Sequence, residues 1–197
     1  MGWLGRLLFK LVGWKAEGEI PPEIKKCIIV AAPHTSNWDF FYALFAFYIL
    51  DFKAKYLIKS NWMVFPLNIF FKLTGAIGVE RKVKGNGLVD GIVKKIEKME
   101  RVSIVIAPEG TRKTVTRWKT GFYNLALKAE LPLVLAYLDY DKKTAGVGLV
   151  IHPTGDYYKD MLQIQNFYKN ITPKHPETYT VDILQGLEVT KKTIPEL

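Results

Sequence analysis

The sequence predicts an α/β domain with a mainly parallel mixed sheet flanked by helices. Two observations carry that expectation. Residues 27–32, 102–107 and 132–137 are short, almost wholly apolar runs rich in β-branched residues, the pattern of strands covered on both faces. Between them lie longer segments of helical period, so strand and helix alternate as in layered α/β folds. At 197 residues the chain fits one domain, and its 49% hydrophobic content suffices for a core.

The elements follow in order. In residues 1–14, Trp3, Leu7, Leu11 and Trp14 fall on one narrow helical arc, and Leu4, Leu8 and Val12 widen it to about half the circle. Arg6 lies well off the arc and Lys10 at its edge. Two Trp and two cations on such a helix suit a lipid interface. The alternative is a helix packed on the core, and three glycines weaken the helix either way. Residues 1–18 are therefore set apart as an amphipathic interfacial segment, and 19–197 as the folded domain.

The 27–32 strand stops at Pro33, and His34-Thr35-Ser36-Asn37-Trp38-Asp39 follows as a strand-to-helix turn. Ser36 or Asn37 can cap the helix. The apolar run 40–50 lies between Asp39 and Asp51. It is shorter than the roughly 20 residues a membrane span needs, so it reads as a buried helix.

Residues 55–58 read as a second strand. Pro66 breaks the aromatic stretch 62–71, and 75–79 is a short apolar element closed by Glu80 and Arg81. Leu88, Ile92 and Ile96, with Val89, Val93 and Met99, mark an amphipathic helix whose Lys94, Lys95 and Lys98 face out. After the 102–107 strand come a turn at 108–112, a helix over 121–130 and strands at 132–137 and 147–152. A helix follows over 156–169, and residues 179–184 carry no clear pattern.

The formal charge of +9 favours an anionic partner: nucleic acid, an anionic lipid surface or a phosphorylated molecule. Cys27 is the one cysteine, which excludes an intrachain disulfide; with three His it also makes a structural zinc site improbable. Lys15 and Glu17 stand where a secretory cleavage site would need small residues. Arg6 occupies the Ser/Thr position of a myristoylation signal. No helix-turn-helix, zinc-finger or aromatic RNA-binding signature is evident.

Two short patterns carry chemistry. His34 and Asp39 form H-x4-D. In a turn entering a helix, the carboxylate can fold back onto one imidazole nitrogen, fix the tautomer and support the imidazolium formed when the other nitrogen takes a proton. Alone the pattern is common by chance, and His34 could equally satisfy a loop carbonyl. Glu109-Gly110-Thr111-Arg112 places a carboxylate, a flexible Gly and an Arg at a strand end, a plausible anion-binding turn. Glu109 could orient that Arg or bond an acceptor hydroxyl. Arg81, Arg112, Lys113, Arg117 and Lys119 could build a cationic pocket, or be solvated charges.

In order, H-T-S-N-W-D, G-A-I-G-V-E-R, P-E-G-T-R and L-P-L-V resemble the glycerolipid acyltransferase family, the PlsC or 1-acyl-sn-glycerol-3-phosphate acyltransferase type, over roughly residues 28–140. The resemblance implies that His34 is the general base and Asp39 its orienting partner. It implies that Arg81 binds the acceptor phosphate, that Glu109, Gly110, Thr111 and Arg112 complete the acceptor site with Lys119 nearby, and that Pro132 shapes the acyl-donor region. It further implies acyl-CoA or acyl-carrier protein as donor, a lysophospholipid as acceptor, and direct attack on the thioester. No metal or other cofactor is implied. The place implied is the cytoplasmic face of the cell membrane, on an anionic lipid surface and without nucleic acid. The sequence departs from the family pattern at Pro33, where Asn is common, at Glu80, where Asp is common, at Ala107, where Phe is usual, and at Leu135, where a second proline is usual.

Other readings compete. The acceptor could be another lysolipid or an aminoacyl lipid. A His–Asp pair could activate water in a thioester hydrolase, although no Gly-x-Ser-x-Gly turn is present. A non-catalytic lipid- or nucleic-acid-binding protein would account for the charge alone.

Overall fold

A computed structural model of the chain describes residues 2–52, 54–79 and 86–180. Its centre is a seven-stranded sheet of β1 (Lys15–Glu17), β2 (Lys26–Ala31), β3 (Ala54–Lys59), β4 (Ala76–Val79), β5 (Val102–Ile106), β6 (Leu133–Asp139) and β7 (Thr144–Ile151), in the order β1-β7-β6-β2-β5-β3-β4. The ladder from β6 through β2, β5 and β3 to β4 is parallel. β7 runs antiparallel to β6, and β1 runs parallel to β7. The expected mainly parallel, mixed α/β sheet is therefore the one observed.

The strands form where apolar residues can be buried on both faces. In β2, Cys27, Ile28, Ile29 and Val30 are each at most 1% exposed, and alternate side chains feed different cores. Ile28 and Val30 join Ile104, Leu133 and Leu135 beneath α4 (Asn86–Glu97), α5 (Gly121–Lys128) and α6 (Tyr157–Tyr168). Cys27 and Ile29 join Val134, Ala136 and Val147 on the opposite face, towards Phe47 of α2 (Trp38–Ile49). On the first face, Tyr168 places its hydroxyl between the carbonyls of Val30 and Ala136, at 2.8 and 3.0 Å, and ties two strand ends together.

Two local expectations need correction, and of the two capping candidates Ser36 is the one that bonds the helix start. The run 40–50 reads as a buried helix, yet α2 buries only Asp39 and Ala46 fully, and Phe41 is exposed. Phe40, Phe41 and Leu44 wall a hollow, while Tyr42, Phe45 and Ile49 are partly buried against α1 and Trp14. Asn37 does not cap α2 with its side chain; its backbone is already helical, and Ser36 Oγ accepts from the Trp38 N–H at 3.2 Å instead. Trp14 does not share the arc of Trp3 and Leu7. The helix α1 (Gly2–Val12) stops before it, Gly13 turns the chain with φ +73°, and Trp14 is buried.

α1 packs on the protein along one side and leaves an apolar side exposed. Gly5 and Phe9 face α2, and a Cβ at Gly5 would lie 3.1 Å from Ile49 Cγ1. The glycine permits close helix packing. Trp3, Leu4, Leu7, Leu11 and Val12 point away from the protein and are exposed. Residues 15–17, grouped with the helix on sequence, are the edge strand β1. Between β3 and β4, a 3₁₀ turn (Ser60–Trp62) and α3 (Leu67–Leu73) replace a single helix around Pro66. Among the described residues no helix is long and apolar enough to cross a membrane.

Candidate active site

The site grows from the carboxyl ends of two neighbouring central strands. β2 and β5 are in register with Val30 opposite Ile106. His34 follows Val30 by four residues and Glu109 follows Ile106 by three, so the two turns meet above the sheet, where ligands of parallel sheets bind.

His34 Nδ1 lies 3.2 Å from Asp39 Oδ2. The same oxygen accepts the backbone N–H groups of Thr35 at 2.9 Å and Ser36 at 2.8 Å. The carboxylate thus folds its own turn and anchors the ring at once. Oδ1 accepts the Tyr140 hydroxyl at 2.7 Å. Asp39 is 5% exposed. Burial alone would raise its pKa, but the hydrogen bonds from His34, Tyr140 and Ser36 outweigh that and hold it below the usual carboxylate range. It stays ionised, as a partner of an imidazolium must.

Glu109 turns inward. At 4% exposed, it accepts the backbone N–H of His34 through Oε1 at 3.0 Å. Burial lifts its pKa to about 7; the His34 N–H and the nearby ring oppose that rise, and Asp39 adds to it. Among the described residues no ion pair joins Glu109 to Arg112, so its role as that side chain's orienting partner is not what the structure shows. Glu109 instead braces the backbone that carries the imidazole.

Gly110 has φ +66°, a left-handed conformation glycine adopts without strain. A Cβ there would fall 2.8 Å from Lys119 Cε, so the Lys119 side chain lies across the glycine. Lys119 is fixed in turn by its N–H, which bonds the Pro108 carbonyl at 2.9 Å. Thr111, Arg112 and Lys113 are exposed and, with His34 and Asp39, line a cavity of about 1060 Å³. The cavity runs under α2, between Phe40, Phe41, Leu44 and Phe47 of the helix, Trp62, Phe70 and Phe71 on one side, and Leu138 and Val147 on the other. One end is cationic and polar; the remainder is lined mainly by apolar and aromatic side chains.

The structure brings together His34, Asp39, Glu109, Gly110, Thr111, Arg112 and Lys119. Pro132 stands elsewhere: it immediately precedes β6, its carbonyl accepts the Ile28 N–H, and it is absent from the cavity wall. Arg81 lies outside the described residues. Arg117 sits near Tyr157, away from the cavity lining. Among the described residues no cluster of three His, Cys, Asp or Glu side chains could hold a metal.

Two parts of the site escape sequence reasoning. Tyr140 is 101 positions from Asp39; the available signal was its place just beyond the carboxyl end of a central strand. The other is the segment after α6: the His175 N–H bonds Thr35 Oγ1 at 3.2 Å and Lys174 Nζ lies 5.4 Å from the Trp38 ring centroid, so this tail braces the H-x4-D turn.

Comparison with known proteins agrees with this geometry. The family model described as Acyltransferase matches residues 15–139, a span that holds both site turns. Among solved structures the chain is similar to the crystal structure of the 1-acyl-sn-glycerophosphate (LPA) acyltransferase PlsC from Thermotoga maritima. The TM-score is 0.60 at 15% identity, over 99% of this chain and 80% of that one, which is a likeness of fold. No curated protein matches the chain in sequence.

Proposed function

The chain belongs to the acyltransferase family, and from that premise we propose that it moves a fatty-acyl group from acyl-CoA or acyl-carrier protein to a hydroxyl of a lysophospholipid. The acceptor we favour is 1-acylglycerol-3-phosphate, with phosphatidic acid as product. The observation that carries the reading is the imidazole–carboxylate pair at the junction of a cationic turn and a long apolar cavity.

With Nδ1 held by Asp39, Nε2 of His34 is the nitrogen that takes the acceptor hydroxyl proton. The oxygen then attacks the thioester carbonyl, forming the new C–O bond and a tetrahedral oxyanion. Collapse breaks the C–S bond, and the thiolate leaves with the proton returned from His34. Asp39 stabilises the transient imidazolium. The step needs neither an acyl-enzyme nor a metal or other cofactor. Arg112, Lys113 and Lys119 supply cations for the acceptor phosphate, and Arg81 is proposed to join them. The cavity under α2 takes hydrocarbon.

The protein is proposed to act on the cytoplasmic face of the cell membrane as a peripheral protein. Two apolar surfaces support this. One is the outer face of α1, where Trp3 is 70% and Leu11 73% exposed. The other spans 62–73, where Phe65 is 79% and Leu73 78% exposed and where Trp62, Leu67 and Phe70 also line the cavity. A chain could pass from lipid to cavity over one hydrocarbon surface. The charge of +9 is then read against anionic headgroups and substrate phosphate rather than nucleic acid.

A panel of lysolipid acceptors with labelled acyl-CoA and acyl-carrier protein tests the reading. Diacyl product is expected with the wild type and none with His34→Ala. Near-normal turnover in that variant would remove His34 as the base. Thiol release without any acceptor would instead make the protein a thioester hydrolase.

A further inference from the structure

The Asp39 carboxylate is held asymmetrically. Oδ2 takes the imidazole and the N–H groups of Thr35 and Ser36, whereas the donor at Oδ1 is Tyr140. Asp39 is nearly fully buried, so water is a poor substitute at Oδ1. Tyr140 in turn has a fixed ring. Trp14 meets it edge-on at 5.0 Å between centroids and 85° between planes, and Tyr42 of α2 meets it at 5.9 Å. Trp14 stacks on Tyr42 at 4.1 Å, and Phe9 of α1 packs on both. The Tyr140 N–H bonds the Thr172 carbonyl at 2.8 Å.

We propose, resting on the acyl-transfer reading, that Tyr140 is a positioning residue of the reaction, which sets the carboxylate that orients His34, and that Trp14 seats it. The phenol does not touch substrate and moves no proton. It keeps Oδ1 paired, so that the carboxylate cannot rotate and carry the imidazole with it. Burial, together with the neighbouring carboxylate, holds the Tyr140 phenol in its protonated, donating form. Because Trp14 follows α1 after the single turn residue Gly13, the N-terminal segment that carries the exposed apolar face is also the segment packed against this tyrosine.

The charged and titratable groups around the pair are His34, Glu109, Tyr42 and Tyr140 itself. Tyr140→Phe keeps the ring and removes the donor. A hydrogen bond to a charged group is worth roughly ten-fold or more in an equilibrium constant. The expected results are a ten-fold or larger fall in kcat with KM within about two-fold, and a titration of the Asp39 carboxyl, followed by ¹³C NMR without substrate, that moves up by about one pH unit. Trp14→Leu is expected to lower kcat in the same way. Two readouts separate this from the function itself. If the wild type transfers no acyl group but the carboxyl titration moves, the reaction was misread and the positioning contact stands. If the wild type is active, while Tyr140→Phe keeps kcat and the carboxyl titration unchanged, the positioning role is overturned. An unchanged kcat in folded Trp14→Leu would overturn the seating.

Discussion

Replacing Glu109 with Gln should change how stability depends on pH in a calculable way. The Glu109 carboxyl moves from an ordinary 4.5 to about 7 on folding because burial penalises its charged form. Between those values the folded protein holds a proton that the unfolded chain has released, so raising the pH favours unfolding. The contribution is full below about pH 4.5, is lost as the pH climbs through 7, and is flat above that. At about 1.4 kcal/mol per pKa unit, the wild type should lose about 3 kcal/mol through this one group. Gln presents the same carbonyl-type oxygen to the His34 N–H and does not ionise. Urea unfolding at about pH 4 and pH 8.5, on both proteins, gives the difference free of every other titrating group. The variant should be favoured by about 3 kcal/mol more at the alkaline pH than at the acid one. Parallel stability curves across that range would refute a buried, protonatable Glu109.

Gly110→Ala should cost about 1–2 kcal/mol, because alanine at φ +66° is strained and its methyl would displace Lys119; an unchanged urea midpoint would show that the turn relaxes freely. The triple change Trp3→Ser, Leu7→Ser and Leu11→Ser should lower partitioning onto anionic vesicles by about ten-fold or more, since it removes most of the exposed apolar face of α1. The melting temperature should move little, because Trp3 and Leu11 are largely exposed and Leu7 about half so, and equal co-sedimentation of the two proteins would defeat the interfacial assignment.

Much of the fold is legible because it rests on local signals. The β2 and β5 runs are almost wholly apolar and β-branched, the pattern of a strand covered on both faces. The Leu88-Ile92-Ile96 spacing marks α4, and Ile92 and Ile96 are indeed buried against the sheet. The H-x4-D pair is legible for the same reason: five residues entering a helix return the carboxylate to the ring. The failures are of another kind. Trp14 has the right helical angle but stands beyond a turn at Gly13, and no periodicity reports where a helix ends. The run 40–50 is as greasy as a core helix, and sequence alone does not distinguish apolar side chains that fill a core from those that wall a cavity. Glu109 reads as a carboxylate that orients Arg112 or bonds an acceptor hydroxyl, whereas it turns inward to meet a backbone N–H 75 positions away. Tyr140 offers only its place just beyond the carboxyl end of β6, because its partner Asp39 lies 101 positions away on α2.

His34 and Glu109 hang from β2 and β5, strands with neighbours on both sides, and the cavity they open onto is floored by β2, β5, β6 and β7 but rimmed by side chains of α2 and α3. Central strands are generally the last parts of a protein to exchange their amide hydrogens, and peripheral helices among the first. In the proposed reaction, local opening of that rim would admit and release a long flexible tail without disturbing the strand ends that hold His34 and Glu109.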